Sequence, residues 1–298
     1  MWRRLPFLWG LLSIGISCFG PHLGAAMAEP SGPTPPHTAR PSLPGIVGRD
    51  DRIPFEPDEW PYTAIGRVNR ETGGFCTGTL VAPRHVLTAA HCLLHPRTRL
   101  FLPPHRVHFV AGYSRGEYTV HRKAEKFMVG DGYRPGPAPD LENVQRDWAV
   151  IILDAPVDIR PVPIRALSGE ELETALGKRT LVRAGYSQDR AHLPTRTSGC
   201  GLIGVGQSSS LLLHDCDATS GDSGSAMLDM AGAAHAAIVG LHVGILGING
   251  TPYNLALSAI AFHEAAGGGT HAPPPRGREG QNESAGDSAS GPPPYSKP

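Results

Sequence analysis

The chain has no surplus of either charge: 27 lysines and arginines stand against 27 aspartates and glutamates. No block of like charge stands out, so neither nucleic acid nor an anionic membrane surface is implied as a partner. There is no Cys-x-x-Cys pair, which removes the usual zinc spacing. There is no glycine loop opening a helix to cradle phosphate, so nucleotide dependence has no support. No metal and no cofactor is expected. No repeat of fixed period is visible. Helical patterning is weak outside two short stretches, 168–176 and 258–266. The apolar run at 5–19 is too short to span a bilayer comfortably, so no stable membrane anchor is expected.

What is present at the ends is read as processing and linker sequence. Arg3 and Arg4 precede the apolar run, and Ala26-Met27-Ala28 is a small-x-small cleavage site. Residues 1–28 are therefore expected to be a signal peptide, removed on export to the periplasm or the exterior. Cys18 lies inside it, but Gly15-Ile16-Ser17 fits a lipoprotein signal poorly. Residues 29–45 are proline-rich and form a linker or propeptide. Residues 267–298, with three consecutive glycines and two runs of three prolines, read as a disordered tail. The folded part is expected at 46–266.

Four cysteines remain after export: Cys76, Cys92, Cys200 and Cys216. They allow three connectivities, and the two close pairs favour Cys76–Cys92 and Cys200–Cys216. Short β-branched or aromatic runs, punctuated by glycine and proline, predict strands. They lie at 62–68, 75–81, 86–89, 107–110, 118–127, 148–153, 180–184, 202–206, 211–215, 225–228, 237–243 and 255–259. That pattern predicts an all-β barrel or sandwich.

The chemistry centres on Gly221-Asp222-Ser223-Gly224. A serine between glycines can present its hydroxyl on a tight turn, with the N–H groups of Gly221 and Ser223 converging where an oxyanion forms. The tetrad also makes an ordinary β-turn. Thr88-Ala89-Ala90-His91-Cys92 sets a histidine among small residues beside a cysteine. Asp147 stands at the mouth of the apolar run 148–153, shielded from water, where it can orient an imidazole. Each has a plainer reading, since the chain holds 14 histidines and an aspartate before a strand is commonly a turn residue. His91 and His95 at i, i+4 could suit a metal, but no further ligand is placed with them.

Taken together, these stretches resemble the chymotrypsin-fold serine proteases, nearest the bacterial branch that includes glutamyl endopeptidases. The resemblance also covers Ile46-Val47-Gly48-Arg49-Asp50-Asp51-Arg52, Cys76-Thr77-Gly78-Thr79-Leu80-Val81 and Gly240-Leu241-His242-Val243-Gly244. It implies two six-stranded antiparallel β-barrels, at about 46–150 and 160–266, with a short C-terminal helix. His91 and Asp147 would come from the first barrel, Ser223 and the oxyanion hole from the second. The implied activity is peptide hydrolysis through an acyl-enzyme, by an expected monomer acting on protein or peptide substrates. Asp217 matches the acid that receives Arg or Lys in trypsin-like enzymes, and His242 matches the histidine that receives Glu in the acidic-specific branch. A third reading has Asp217 bonding backbone or neutralising His242. Gly244-Ile245 departs from the double glycine usual after that histidine. Ile46 resembles the new N-terminus of a cut zymogen, whose amine Asp222 would bind once an activating protease had acted. The competing class is a non-catalytic binding module on the same fold.

Overall fold

The computed structural model describes residues 43–136, 140–206, 209–230 and 235–267. The expected signal peptide, all but the last three residues of the 29–45 segment and all but Gly267 of the tail lie outside them.

A short strand, β1 (Ile53–Pro54), precedes the first barrel. That barrel comprises β2 (Ile65–Arg70), β3 (Phe75–Ala82), β4 (His85–Thr88), β5 (Val107–Ala111), β6 (Val120–Val129) and β7 (Ala149–Leu153). They close in the order β2-β3-β4-β7-β6-β5, antiparallel throughout, with β2 pairing β5 to complete the ring. β7 is Ala-Val-Ile-Ile-Leu, mostly β-branched, and suits a pleated surface covered on both sides. Its neighbour β4 takes it in register from Thr88 opposite Ala149, which sets the two ends that carry His91 and Asp147 side by side.

The second half holds β8 (Leu181–Tyr186), β9 (Pro194–Cys200), β10 (Leu202–Val205), β11 (Leu211–His214), β12 (Ala226–Asp229), β13 (Ala237–Ile248) and β14 (Thr251–Ser258). Their order is β1-β9-β8-β12-β13-β14-β11-β10. β9 and β10 are separated only by Gly201, yet they stand near opposite ends of that order. One bent strand therefore pairs with β8 on one side and β11 on the other, and the sheet curls round to meet it. Counted this way the second half is a barrel of six strands, with β1 added outside β9. The bend is pinned by the Cys200–Cys216 disulfide and by Asp215, which accepts the Gly201 N–H at 2.8 Å.

β9 escapes the sequence pattern because Pro-Thr-Arg-Thr-Ser-Gly-Cys offers no apolar alternation. Its inner face is made instead by Thr195 and Thr197, both fully buried. Two helices are present among the described residues: α1 (Leu141–Val144) and α2 (Gly169–Ala175). α2 starts on a reciprocal capping box, Ser168 with Glu171, close to where the sequence places it. The expected C-terminal helix is a shorter 3-10 turn, Ala259–Ala261, capped by Ser258 and followed by further turns. Phe262 and Ala266 anchor those turns in an apolar core that runs continuously through both halves. Among the described residues no helix is long and apolar enough to cross a membrane.

Candidate active site

His91 sits in a 3-10 turn, Ala90–Leu93, directly after β4. The disulfide Cys76–Cys92 ties that turn to β3. Asp147 lies between α1 and β7 and is almost wholly buried. Its two oxygens accept from the same residue: Oδ1 from the His91 backbone N–H at 2.8 Å, and Oδ2 from Nδ1 at 2.7 Å. That bidentate hold fixes the ring and leaves Nε2 free to exchange a proton.

Ser223 is delivered by the turn between β11 and β12. The turn is built on two glycines with left-handed backbones, Gly221 at φ 98° and Gly224 at φ 84°. A Cβ on Gly224 would lie 2.2 Å from the Thr77 carbonyl, and one on Gly221 would lie 2.7 Å from the Tyr186 carbonyl. Only glycine fits either place. The Ser223 carbonyl is held by the Thr77 N–H at 2.9 Å, and the Gly221 carbonyl by Thr77 Oγ1 at 3.1 Å. With those carbonyls turned away, the N–H groups of Gly221 and Ser223 have no acceptor among the described residues. The Ser223 carbonyl and His91 Nε2 both lie within 4 Å of Cys92 Sγ, at 3.7 and 3.8 Å. The serine turn and the imidazole thus meet across the two halves. His91, Cys76 and Cys92 also bring their ligand atoms together, but both sulfurs are consumed in the disulfide, and His95 instead accepts two backbone N–H groups of its own loop.

Asp222 is fully buried, and so is its partner Arg183 on β8. Arg183 Nη1 donates to Asp222 Oδ1. The other carboxylate oxygen accepts from Ser187 Oγ at 2.6 Å and from the Thr219 N–H at 2.8 Å. Burial works against the charge on Arg183, and Asp222 works for it. In the uncut chain the Asp222 carboxylate, expected to bind the amine of a cut Ile46, is held by an arginine the sequence did not single out. Ile46 itself is an ordinary turn amide, donating to the Leu43 carbonyl at 3.1 Å. The preceding Gly45 is buried, and its carbonyl accepts from Ala218 N–H and Asn254 Nδ2 at 3.2 and 2.8 Å.

Of the three readings of Asp217, the contacts match the one in which it bonds backbone. Its oxygens accept the N–H groups of Val47 at 2.7 Å and Asp51 at 2.9 Å, so it clasps the segment entering the domain rather than flooring a substrate pocket. Both oxygens face backbone amides of the 47–51 segment. The clasp has a cost for Asp51, whose carboxyl is pushed up to about 6 by burial and by the neighbouring Asp217.

His242 on β13 does border the serine turn: its N–H donates to the Ser225 carbonyl and its carbonyl accepts from the Gly224 N–H, both at 2.8 Å. Its Nδ1 lies 3.1 Å from Nε2 of His214, a residue not expected from the sequence. Both rings are buried. Burial holds His242 well below the usual histidine range, assisted by His214, Arg183 and His91. Burial pushes His214 down to about 3. The pair is thus neutral at neutral pH. The signal available for His214 was its place at the end of the apolar run Leu211-Leu212-Leu213, where a polar residue in a buried strand needs a partner.

A family model described as Trypsin matches residues 51–260. A cercarial protease of Schistosoma mansoni is 35% identical over 79 residues, which cover 26% of this chain and 27% of that protein. A glutamyl endopeptidase of Bacillus licheniformis is 24% identical over 190 residues, covering 63% of this chain and 56% of that protein. The chain thus spans less than two thirds of the length of either relative. Among solved structures, a Glu endopeptidase in complex with MPD superposes with a TM-score of 0.61 at 24% identity, over 74% of this chain and 99% of the other. A Vibrio cholerae VesB protease superposes with a TM-score of 0.55 at 19% identity, over 72% and 65%. Both likenesses are of fold.

Proposed function

Because the chain belongs to the trypsin family, we propose that it is an exported serine endopeptidase working through His91, Asp147 and Ser223. The observation that carries this is the doubly held pair, Asp147 on both the backbone and Nδ1 of His91, set against a serine turn whose two N–H groups are free. Ser223 Oγ attacks the peptide carbonyl while His91 Nε2 takes its proton. Asp147 stabilises the imidazolium so formed. The N–H groups of Gly221 and Ser223 bind the oxyanion. His91 then protonates the leaving amine, and water repeats the sequence on the acyl-enzyme.

The residue before the cut is acidic on this reading. The glutamyl endopeptidase named above is so called for its action after Glu, and the feature here that supports the same preference is His242 beside the serine turn with His214 behind it. A Glu carboxylate arriving at a buried neutral imidazole supplies the opposite charge that makes protonation favourable. Asp217, at the place of the acid in trypsin-like enzymes, faces backbone amides of the 47–51 segment. Export is in keeping with the two disulfides.

The test is a cleavage profile on an unbiased peptide mixture, run with Ser223→Ala beside it. The expected result is cutting after Glu or Asp by the wild type and none by the variant. Cutting by Ser223→Ala overturns the triad, and preference for Arg overturns the acidic reading. A fluorophosphonate that fails to label Ser223 restores the non-catalytic binding module.

A further inference from the structure

A cavity of about 230 Å³ extends from His91 and Asp147 along the cleft. Its walls come from both halves: His91, Arg99, Tyr133 and Asn143 on one side, Gly244 and Ile245 on the other. Gly244 and Ile245 follow His242 along β13, and they are less buried than the residues before them. A peptide with its cut-site residue at His242 and its preceding residues alongside 243–245 lays those residues over this cavity.

Among the described residues Arg99 is the one arginine or lysine on the wall. Its loop is rigidly made: His95 N–H donates to Leu100 O at 2.8 Å, and Arg99 N–H to His95 O at 2.9 Å. Arg99 itself is held at φ 58°, a left-handed conformation uncommon outside glycine, asparagine and aspartate. Its guanidinium is underused. Nη2 donates to the Gly136 carbonyl at 3.3 Å, and the buried Nε has no partner. No carboxylate pairs with it among the described residues. Nη1 has no acceptor among the described residues, and a ligand carboxylate can supply one. Among the described residues the one carboxylate on the cavity is Asp147, whose two oxygens both accept from His91. An incoming acid is repelled from that floor and drawn to the Arg99 wall.

We infer that Arg99 is a specificity-determining residue, taking an acidic side chain two to four residues before the scissile bond. The inference rests on the peptidase reading above and adds a second acidic position to it. A charge-assisted pair with a planar guanidinium is directional as well as attractive, so Glu is separated from its neutral isostere Gln.

The experiment uses the full chain and a peptide series with the best cut-site residue fixed. Glu, Gln or Lys is placed in turn at each of the second, third and fourth positions before the cut. The readout is the ratio of kcat/KM for Glu over Gln within each protein. The wild type is expected to show a ratio of about tenfold at one of these positions, falling in high salt. Arg99→Asn and Arg99→Asp are the variants, because both residue types tolerate the left-handed backbone. Arg99→Asn brings the ratio to about one, and Arg99→Asp turns the preference to Lys. Arg97→Gln, on the exposed part of the same loop, keeps the wild-type ratio. A wild type without preference for Glu, or a preference that survives Arg99→Asn, overturns the inference while leaving the peptidase intact. A wild type that cleaves no peptide overturns both.

Discussion

The ion pair Arg183–Asp222 predicts how the serine turn should fail. Both side chains are fully buried, and Asp222 stands between the two residues whose N–H groups are proposed to bind the oxyanion. Replacing Arg183 with Met keeps most of the volume and removes the charge. Asp222 is then a buried anion held by Ser187 and Thr219 alone. Breaking a buried pair from one side costs about 3–5 kcal/mol. Most of the ~5–15 kcal/mol range for a domain exceeds that loss, but the turn need not stay closed. Swinging Asp222 to solvent relieves the penalty and takes Gly221 and Ser223 with it. A cost of ~3–5 kcal/mol corresponds to roughly a hundredfold to several thousandfold in the balance between closed and open turn. Losing one oxyanion donor independently costs about a hundredfold to a thousandfold in rate. Arg183→Met is therefore expected to lower kcat/KM by at least about a hundredfold on a good peptide, and to slow fluorophosphonate labelling in parallel. The protein should remain folded at room temperature with a lowered Tm. The double variant Arg183→Met, Asp222→Leu removes both charges and should recover part of the Tm without recovering activity. If Arg183→Met keeps kcat/KM within about threefold of the wild type while its Tm drops, the pair supports the fold only, and the reasoning about the turn is wrong.

Three more outcomes follow. Active protein labelled at Ser223 should retain an intact Gly45–Ile46 bond, because Gly45 O, Val47 N–H and Asp51 N–H are all bound to the second half; mass spectrometry showing Ile46 as the start of the labelled protein would refute this. Asp51 holds its proton more tightly folded than unfolded, with its carboxyl raised to about 6 from an ordinary 3.8. The stability this lends is complete below about pH 4 and is lost as pH rises toward 6, so Asp51→Asn should melt above the wild type at pH 7 and no higher at pH 4. Asp147→Asn should keep the fold and lower kcat by roughly four orders of magnitude, since an amide cannot serve both the backbone N–H and Nδ1–H of His91; a loss under tenfold counts against Asp147 as the orienting acid.

The parts of the site legible in the sequence are those whose meaning is local. Ser223 between glycines, His91 beside Cys92 and Asp147 before an apolar strand each carry their context within a few residues. The parts missed depend on partners far along the chain. Arg183 lies in Leu-Val-Arg-Ala-Gly-Tyr, where alternation makes it look solvent-facing, yet every residue of β8 is buried and its anion comes 39 positions later. His214 needs His242, 28 positions on. Asp217 shows the opposite fault: its distance from Ser223 suggested a pocket, and only the return of residues 47–51 to the second half reveals what its oxygens hold. Fold class was readable from the many short apolar runs. β9 was not, because threonines do there what valines do elsewhere.

Thr77 belongs to β3 of the first barrel, but its bonds run to the second. Its N–H and hydroxyl hold the carbonyls of Ser223 and Gly221, its hydroxyl oxygen receives the Tyr186 N–H at 2.8 Å, and Thr88 Oγ1, three positions before His91, secures its own carbonyl at 2.7 Å. One side chain thus gauges the nucleophile of one barrel against the base of the other. Neither half alone holds His91, Asp147 and Ser223 together.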